Sequence, residues 1–146
     1  MTRNTTQSKA KLCKRVEFFV RKWAPRLGID NYDIDVVVGP VLLHALAMTV
    51  GNNDSFRARI TVPGDFYEED PEINELGNHD LERTIVHELF HIVLVGPHDL
   101  AAETLDSCFG RGLLGETHIK HLNTEIELVC DKLAVALVRW DRAAKR

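Results

Sequence analysis

His87-Glu88-Leu89-Phe90-His91 sets two imidazoles four residues apart with a carboxylate between them. On a helix, positions i and i+4 project from one face, so two ring nitrogens can share one metal ion while Glu88 stands beside it to take a proton from water. That chemistry is metal-assisted hydrolysis. A chain of this length and histidine content shows the spacing by chance at a rate of roughly 0.02 to 0.03, so the surroundings of the pentapeptide must decide. Leu81 to Val95 is apolar nearly all round, apart from its charged first turn and the His, Glu, His group, and it reads as a buried helix. Ordinary core histidines are the plain alternative. They leave Glu88 unexplained, because a carboxylate buried between two imidazoles is costly without a cation. Asn78 and Asp80 both suit an N-cap, Asp80 and Glu82 put negative charge in the first turn, and Gly96-Pro97 predicts the end of the helix one turn after His91.

A catalytic zinc takes three protein ligands and keeps one position open for water. The third ligand is sought in the run from Thr124 to Val138, where Ile126, Val129, Cys130, Leu133, Leu137 and Trp140 form an apolar stripe and predict a second long helix. Glu127 and Asp131 lie at i and i+4 on the flank of that stripe. Glu125 stands about 200° round the helix from Glu127, so the two glutamates cannot serve one metal. Glu127 is the candidate ligand, and Asp131 the carboxylate expected to hold a histidine N–H and fix its tautomer. A capping-box partnership of Glu127 with Thr124, or a solvated face, is the alternative reading.

The pentapeptide, followed by Glu127-Leu-Val-Cys-Asp131-Lys-Leu-Ala, resembles the glutamate helix pattern ExxxD or ExxxN of gluzincin metallopeptidases. The likeness is greatest to compact forms, the minigluzincins and the ImmA/IrrE-like proteins common in phages and prophages. It covers residues 80–95 and 117–140, and the upstream half only loosely. It implies zinc ligation by His87, His91 and Glu127, with Glu88 as general base. Other zinc hydrolase patterns fit less well: a metzincin extension needs Gly at Leu94 and His at Pro97, and His98 falls one residue late. SprT-like proteases use a downstream histidine ligand, which His118 or His121 could supply, but the usual His-Gly context is missing.

Elements able to position such a site can be found upstream. Leu12, Val16, Phe19, Val20 and Trp23 have helical spacing, ended by Pro25 and Gly28. Tyr32 to Val38 and Phe56 to Val62 alternate as strands; Ala45 to Val50 is a third, closed by a turn at Gly51-Asn52-Asn53-Asp54. The expected fold is α+β, a zincin-like single domain over residues 1–146: N-terminal helix, small three-stranded sheet, HExxH helix and C-terminal glutamate helix. By analogy with gluzincins, Phe56 to Val62 is the candidate edge strand for an extended peptide; an ordinary half-buried strand with Arg57 and Arg59 solvated is the competing reading. Pro63 to Asn78 is acidic and reads as a solvated loop that could gate a cleft. Asp99 to Phe109 predicts a separate short helix, and Gly110, Gly112 and Gly115 a flexible turn.

A net charge of −4 with a pI near 6 argues against a nucleic-acid surface. The basic ends (Lys9, Lys11, Lys14, Arg15; Arg139, Arg142, Lys145, Arg146) read as solvated helix faces. No stretch is long and apolar enough for a membrane span, the N-terminus has no apolar leader core, and 3 cysteines suggest reduced thiols, so a cytoplasmic protein is expected. Cys13, Cys108 and Cys130 are too dispersed for a zinc knuckle, and Cys130 reads as core packing. The function expected is hydrolysis of peptide bonds in a peptide or protein substrate, with one zinc ion per chain and Glu88 moving the proton. Tyr67, His118 and His121 are candidates for the oxyanion partner. A zinc-binding sensor or interaction module of the same fold, silent or latent, is the reading of a different class.

Overall fold

The computed structural model describes residues 3–41, 47–52, 55–66, 80–110 and 112–145. The acidic segment from residue 67 to 79, with Tyr67 and Asn78, lies outside them, as do residues 45 and 46 of the third expected strand. The described residues form an α+β structure of three α-helices and a mixed three-stranded sheet, in the order α1 (Arg3–Trp23), β1 (Asp33–Val38), β2 (Met48–Asn52), β3 (Arg57–Val62), α2 (Leu81–Phe109), α3 (Leu113–Ala143).

In α1 the helical spacing puts Val16, Val20 and Trp23 in the core, with Leu12 and Phe19 packed against it. A 3-10 turn, Pro25–Leu27, follows, and Gly28 at φ 72° takes the left-handed conformation that releases the chain toward β1. The strand order is β1-β3-β2, β1 running parallel and β2 antiparallel to β3. Ala58, Ile60 and Val62 of β3 are buried while Arg57 and Arg59 face outward, the alternation expected of a half-buried strand, but Thr61 on the outward face is buried as well. Phe56 departs from it: at φ 50° it belongs to the turn, is half exposed, and meets the edge of the Tyr32 ring. β2 runs two residues beyond Val50, because Gly51 pairs with Ala58 and Asn52 with Arg57; Asn53 and Asp54 of the expected turn lie outside the described residues.

Two larger corrections concern the helices. First, α2 does not stop at Gly96-Pro97 but runs on to Phe109, so Asp99 to Phe109 is its last third and not a separate helix. Pro97 removes one intrahelical hydrogen bond and crowds the carbonyl four residues back, a cost of about 3 kcal/mol. Packing of α2 along α3, which continues past this point to the Phe109–His118 ring contact, offsets it. Second, the buried face of α3 is Cys130, Ala134, Val138 and Asp141, with Ile126 and Leu137 half-buried, whereas Val129, Leu133 and Trp140 are exposed. Small residues at Cys130 and Ala134 let α3 approach α2 closely, and that contact, not the widest apolar stripe, sets the rotation of the helix.

A buried charge cluster locks the three helices at one end. Lys22 of α1 reaches both Glu82 of α2 and Asp141 of α3. The Trp23 indole N–H also donates to Glu82 at 2.9 Å, and Arg26 meets Asp141 at 2.6 Å. Arg142 donates to Asp80 at 2.8 Å and to Glu82 at 3.2 Å, and Lys145 pairs with Asp141, so these two basic residues are not simply solvated. At the opposite end the α2–α3 turn depends on glycine: a side chain on Gly115 would put its Cβ 2.1 Å from the Gly110 carbonyl oxygen, and Gly110 itself sits at φ 70°.

Candidate metal centre

Asp80 caps α2 by accepting the Arg83 N–H at 2.9 Å, and the helix then buries Leu81, Ile85, Val86, Leu89 and Ile92. That burial leaves the opposite face, with His87 and His91, turned to a cleft of about 790 Å³ between β2, α2 and α3. Helices α2 and α3 run antiparallel, as the pairs Arg83–Asp131, His87–Glu127 and His98–Asn123 show by their opposed numbering.

His87 Nε2 and His91 Nε2 lie 3.1 Å apart, His87 Nε2 is 3.2 Å from Glu127 Oε2, and His91 Nε2 is 3.3 Å from Glu127 Oε1. Tetrahedral zinc with bonds of about 2.0–2.1 Å holds its ligand atoms about 3.3 Å apart. The donor set therefore fits zinc in type and in spacing, and the three residues form the one metal-capable group among the described residues. Glu125 takes no part: it faces away, 3.9 Å from His121. His121 is itself exposed, and His118 stacks on Phe109 with ring centroids 4.5 Å apart at the turn, so neither histidine joins the cluster.

Glu88 lines the same cleft and is 6% exposed. Burial pushes its carboxyl above the ordinary range; hydrogen bonding from Thr49 and the two imidazoles pull it down, and Glu127 adds to the rise. The Thr49 hydroxyl also donates to the Glu88 backbone carbonyl at 3.4 Å, which ties β2 to the motif helix.

Asp131 behaves differently from expectation. Its Oδ1 stands 3.9 Å from His87 Nδ1, too far for a hydrogen bond, and it receives the Arg83 guanidinium instead. His91 meets Cys130 Sγ, 3.9 Å from its Nδ1. Burial first, then Glu127 and Glu88, push the Cys130 thiol up to about 12, so it stays protonated. Helical geometry places Cys130 one turn beyond Glu127, and that was the available signal for its nearness. Arg83 and His98, also on the cleft, had their own signal in the spacing: they stand at i−4 and i+11 from His87 on a continuous helix.

The edge strand changes as well. Phe56 to Val62 cannot receive a peptide, because β3 is the central strand and both its edges are paired. β2 is the terminal strand beside the site, and Met48, Thr49 and Gly51 line the cleft.

Compared with known proteins, the chain matches no family model, no curated protein and no solved structure. The functional reading consequently rests on the site. No helix among the described residues is long and apolar enough to cross a membrane.

Proposed function

We propose that this chain is a zinc-dependent metallopeptidase of gluzincin type, with a zincin-like fold. The observation that carries the reading is the convergence of His87, His91 and Glu127 at 3.1 to 3.3 Å beside a buried carboxylate that no ligand role requires. A structural zinc site is usually closed by four Cys or His ligands, whereas two histidines and one glutamate leave a coordination position open.

When bound, zinc supplies Lewis acidity, lowering the pKa of water and polarising a carbonyl. The chain's own groups do the rest. Glu88 takes the proton of the attacking water and returns it to the leaving amine. β2 offers main-chain groups along its outer edge to an extended peptide, in the manner of strand addition. Thr49 holds that strand against the backbone of Glu88, so peptide and base share one reference frame.

The test is a peptide-library digest with wild type and Glu88→Gln, alongside metal analysis. The expected result is one zinc per chain in both and cleavage by wild type alone. Loss of zinc in Glu88→Gln, or equal cleavage by both proteins, contradicts the assigned roles.

A further inference from the structure

His91 turns Nε2 toward His87 and Glu127, so its other ring nitrogen points away from the donor cluster. That nitrogen, Nδ1, meets Cys130 Sγ at 3.9 Å, within the longer range that sulfur hydrogen bonds span. Cys130 is wholly buried and stands on the turn of α3 that carries Glu127. A single turn of α3 therefore brings a carboxylate to the front of His91 and a sulfur to its back. A neutral imidazole carries one proton, and only when that proton sits on Nδ1 does Nε2 keep the lone pair that a metal needs. Metal-binding histidines are ordinarily held this way by a carboxylate, a carbonyl or water. The nearby carboxylate of Asp131 lies on the His87 side and is engaged by Arg83.

We infer that Cys130 is the positioning residue of His91: its sulfur accepts the Nδ1–H, fixes the tautomer and ring plane, and thereby strengthens metal binding. The inference rests on the metal reading of the site. It assigns a working role to a residue that packing alone would also account for, so the test must separate the two. Valine is as apolar as the thiol but one methyl group larger and accepts no hydrogen bond; serine accepts one but is smaller and more polar.

Zinc affinity is measured by competition with a chromophoric chelator for wild type, Cys130→Val and Cys130→Ser. The thermal midpoint of each metal-free protein and the visible spectrum of each cobalt-substituted protein are recorded alongside. Cys130→Val is expected to lose on the order of 10- to 100-fold in zinc affinity with a shifted cobalt spectrum, and its extra bulk at the close α2–α3 contact should lower the midpoint, as the polar serine also does. Cys130→Ser should stay within a few-fold of wild type in affinity while melting lower. Should Cys130→Val fail to fold, Cys130→Ala carries the same expectation for affinity. Valine or alanine variants that bind zinc as tightly as wild type overturn the inference, as does a serine variant that loses as much as valine. A wild-type protein that takes up no zinc overturns the metal reading itself, so the two failures are told apart by the wild-type titration.

Discussion

Glu127 and His87 lie 40 residues apart in the chain, yet their side chains meet at 3.2 Å across the boundary between α2 and α3. The distance depends on how α3 is rotated and how far it slides along α2. Both are set by close packing at Cys130 and Ala134 and by the charge cluster around Asp141.

Glu127→Ala is expected to lose zinc binding outright, whereas Glu125→Ala, on another face of the same helix, should bind as wild type does. Asp131→Ala should fall between, weakened on the order of 10- to 100-fold, because the Arg83 cation then stands near the site without its carboxylate. Chelator competition across the three variants is the measurement; equal loss in Glu125→Ala would place the third ligand elsewhere.

Asp141→Asn should destabilise the fold by about 1–3 kcal/mol, since a nearly buried carboxylate that gathers Lys22, Arg26 and Lys145 is lost, although Arg26 and Lys145 stay about half solvated and Lys22 keeps Glu82. Urea titration of the metal-free protein reads this directly. A change under about 1 kcal/mol would show that the cluster contributes little net stability.

The same cluster dictates a pH response. Hydrogen bonds from Lys145 and Lys22, with Arg26 adding and burial opposing, hold the Asp141 carboxyl well below its usual range. Burial pushes Glu82 up, but Lys22, Trp23 and Arg142 outweigh it, so Glu82 is lowered too. A carboxyl with a depressed folded pKa stabilises the fold fully above its unfolded value, near 4, and that contribution is lost as pH falls below it. Unfolding free energies from about pH 7 down to 3 should fall more steeply for wild type than for Asp141→Asn; parallel curves contradict the assignment.

Pro97→Ala should raise the thermal midpoint, with a gain of roughly 1 kcal/mol or more, because the helix already passes through this exposed position and alanine restores a hydrogen bond. The proline's smaller unfolded-state entropy works against the gain. A lowered midpoint means that the ring shapes the α2–α3 contact.

Gly115→Ala should cost about 1–3 kcal/mol, as its methyl group would lie 2.1 Å from a backbone oxygen that can yield only by moving the turn. Calorimetry of the two proteins decides it.

Local chemistry made part of this molecule readable in one dimension. Periodicity exposed α1, the motif helix and the alternation in β1 and β3, because burying one face of a helix or strand imposes a fixed repeat on apolar residues. The pentapeptide announced a pair of histidines able to share a metal for the same reason: positions i and i+4 are neighbours on any helix. Glu127 could be named together with the two histidines it meets, whereas Asp131 could be named but not its partner. Asp131 went to Arg83, and Cys130 came to lie behind His91, through the rotation of α3 against α2, which depends on side chains from both helices at once. Likewise β3 had the pattern of a strand with one solvated face, but only long-range pairing put it in the centre and left β2 at the edge. Gly96-Pro97 carried a local stop signal that a continuous helix–helix contact overrode, and nothing within one turn marks Lys22, Glu82 and Asp141 as partners, because three distant helix ends must meet to join them. Signals that act within one turn are written in the sequence; those that depend on which surfaces meet are decided when the chain closes on itself.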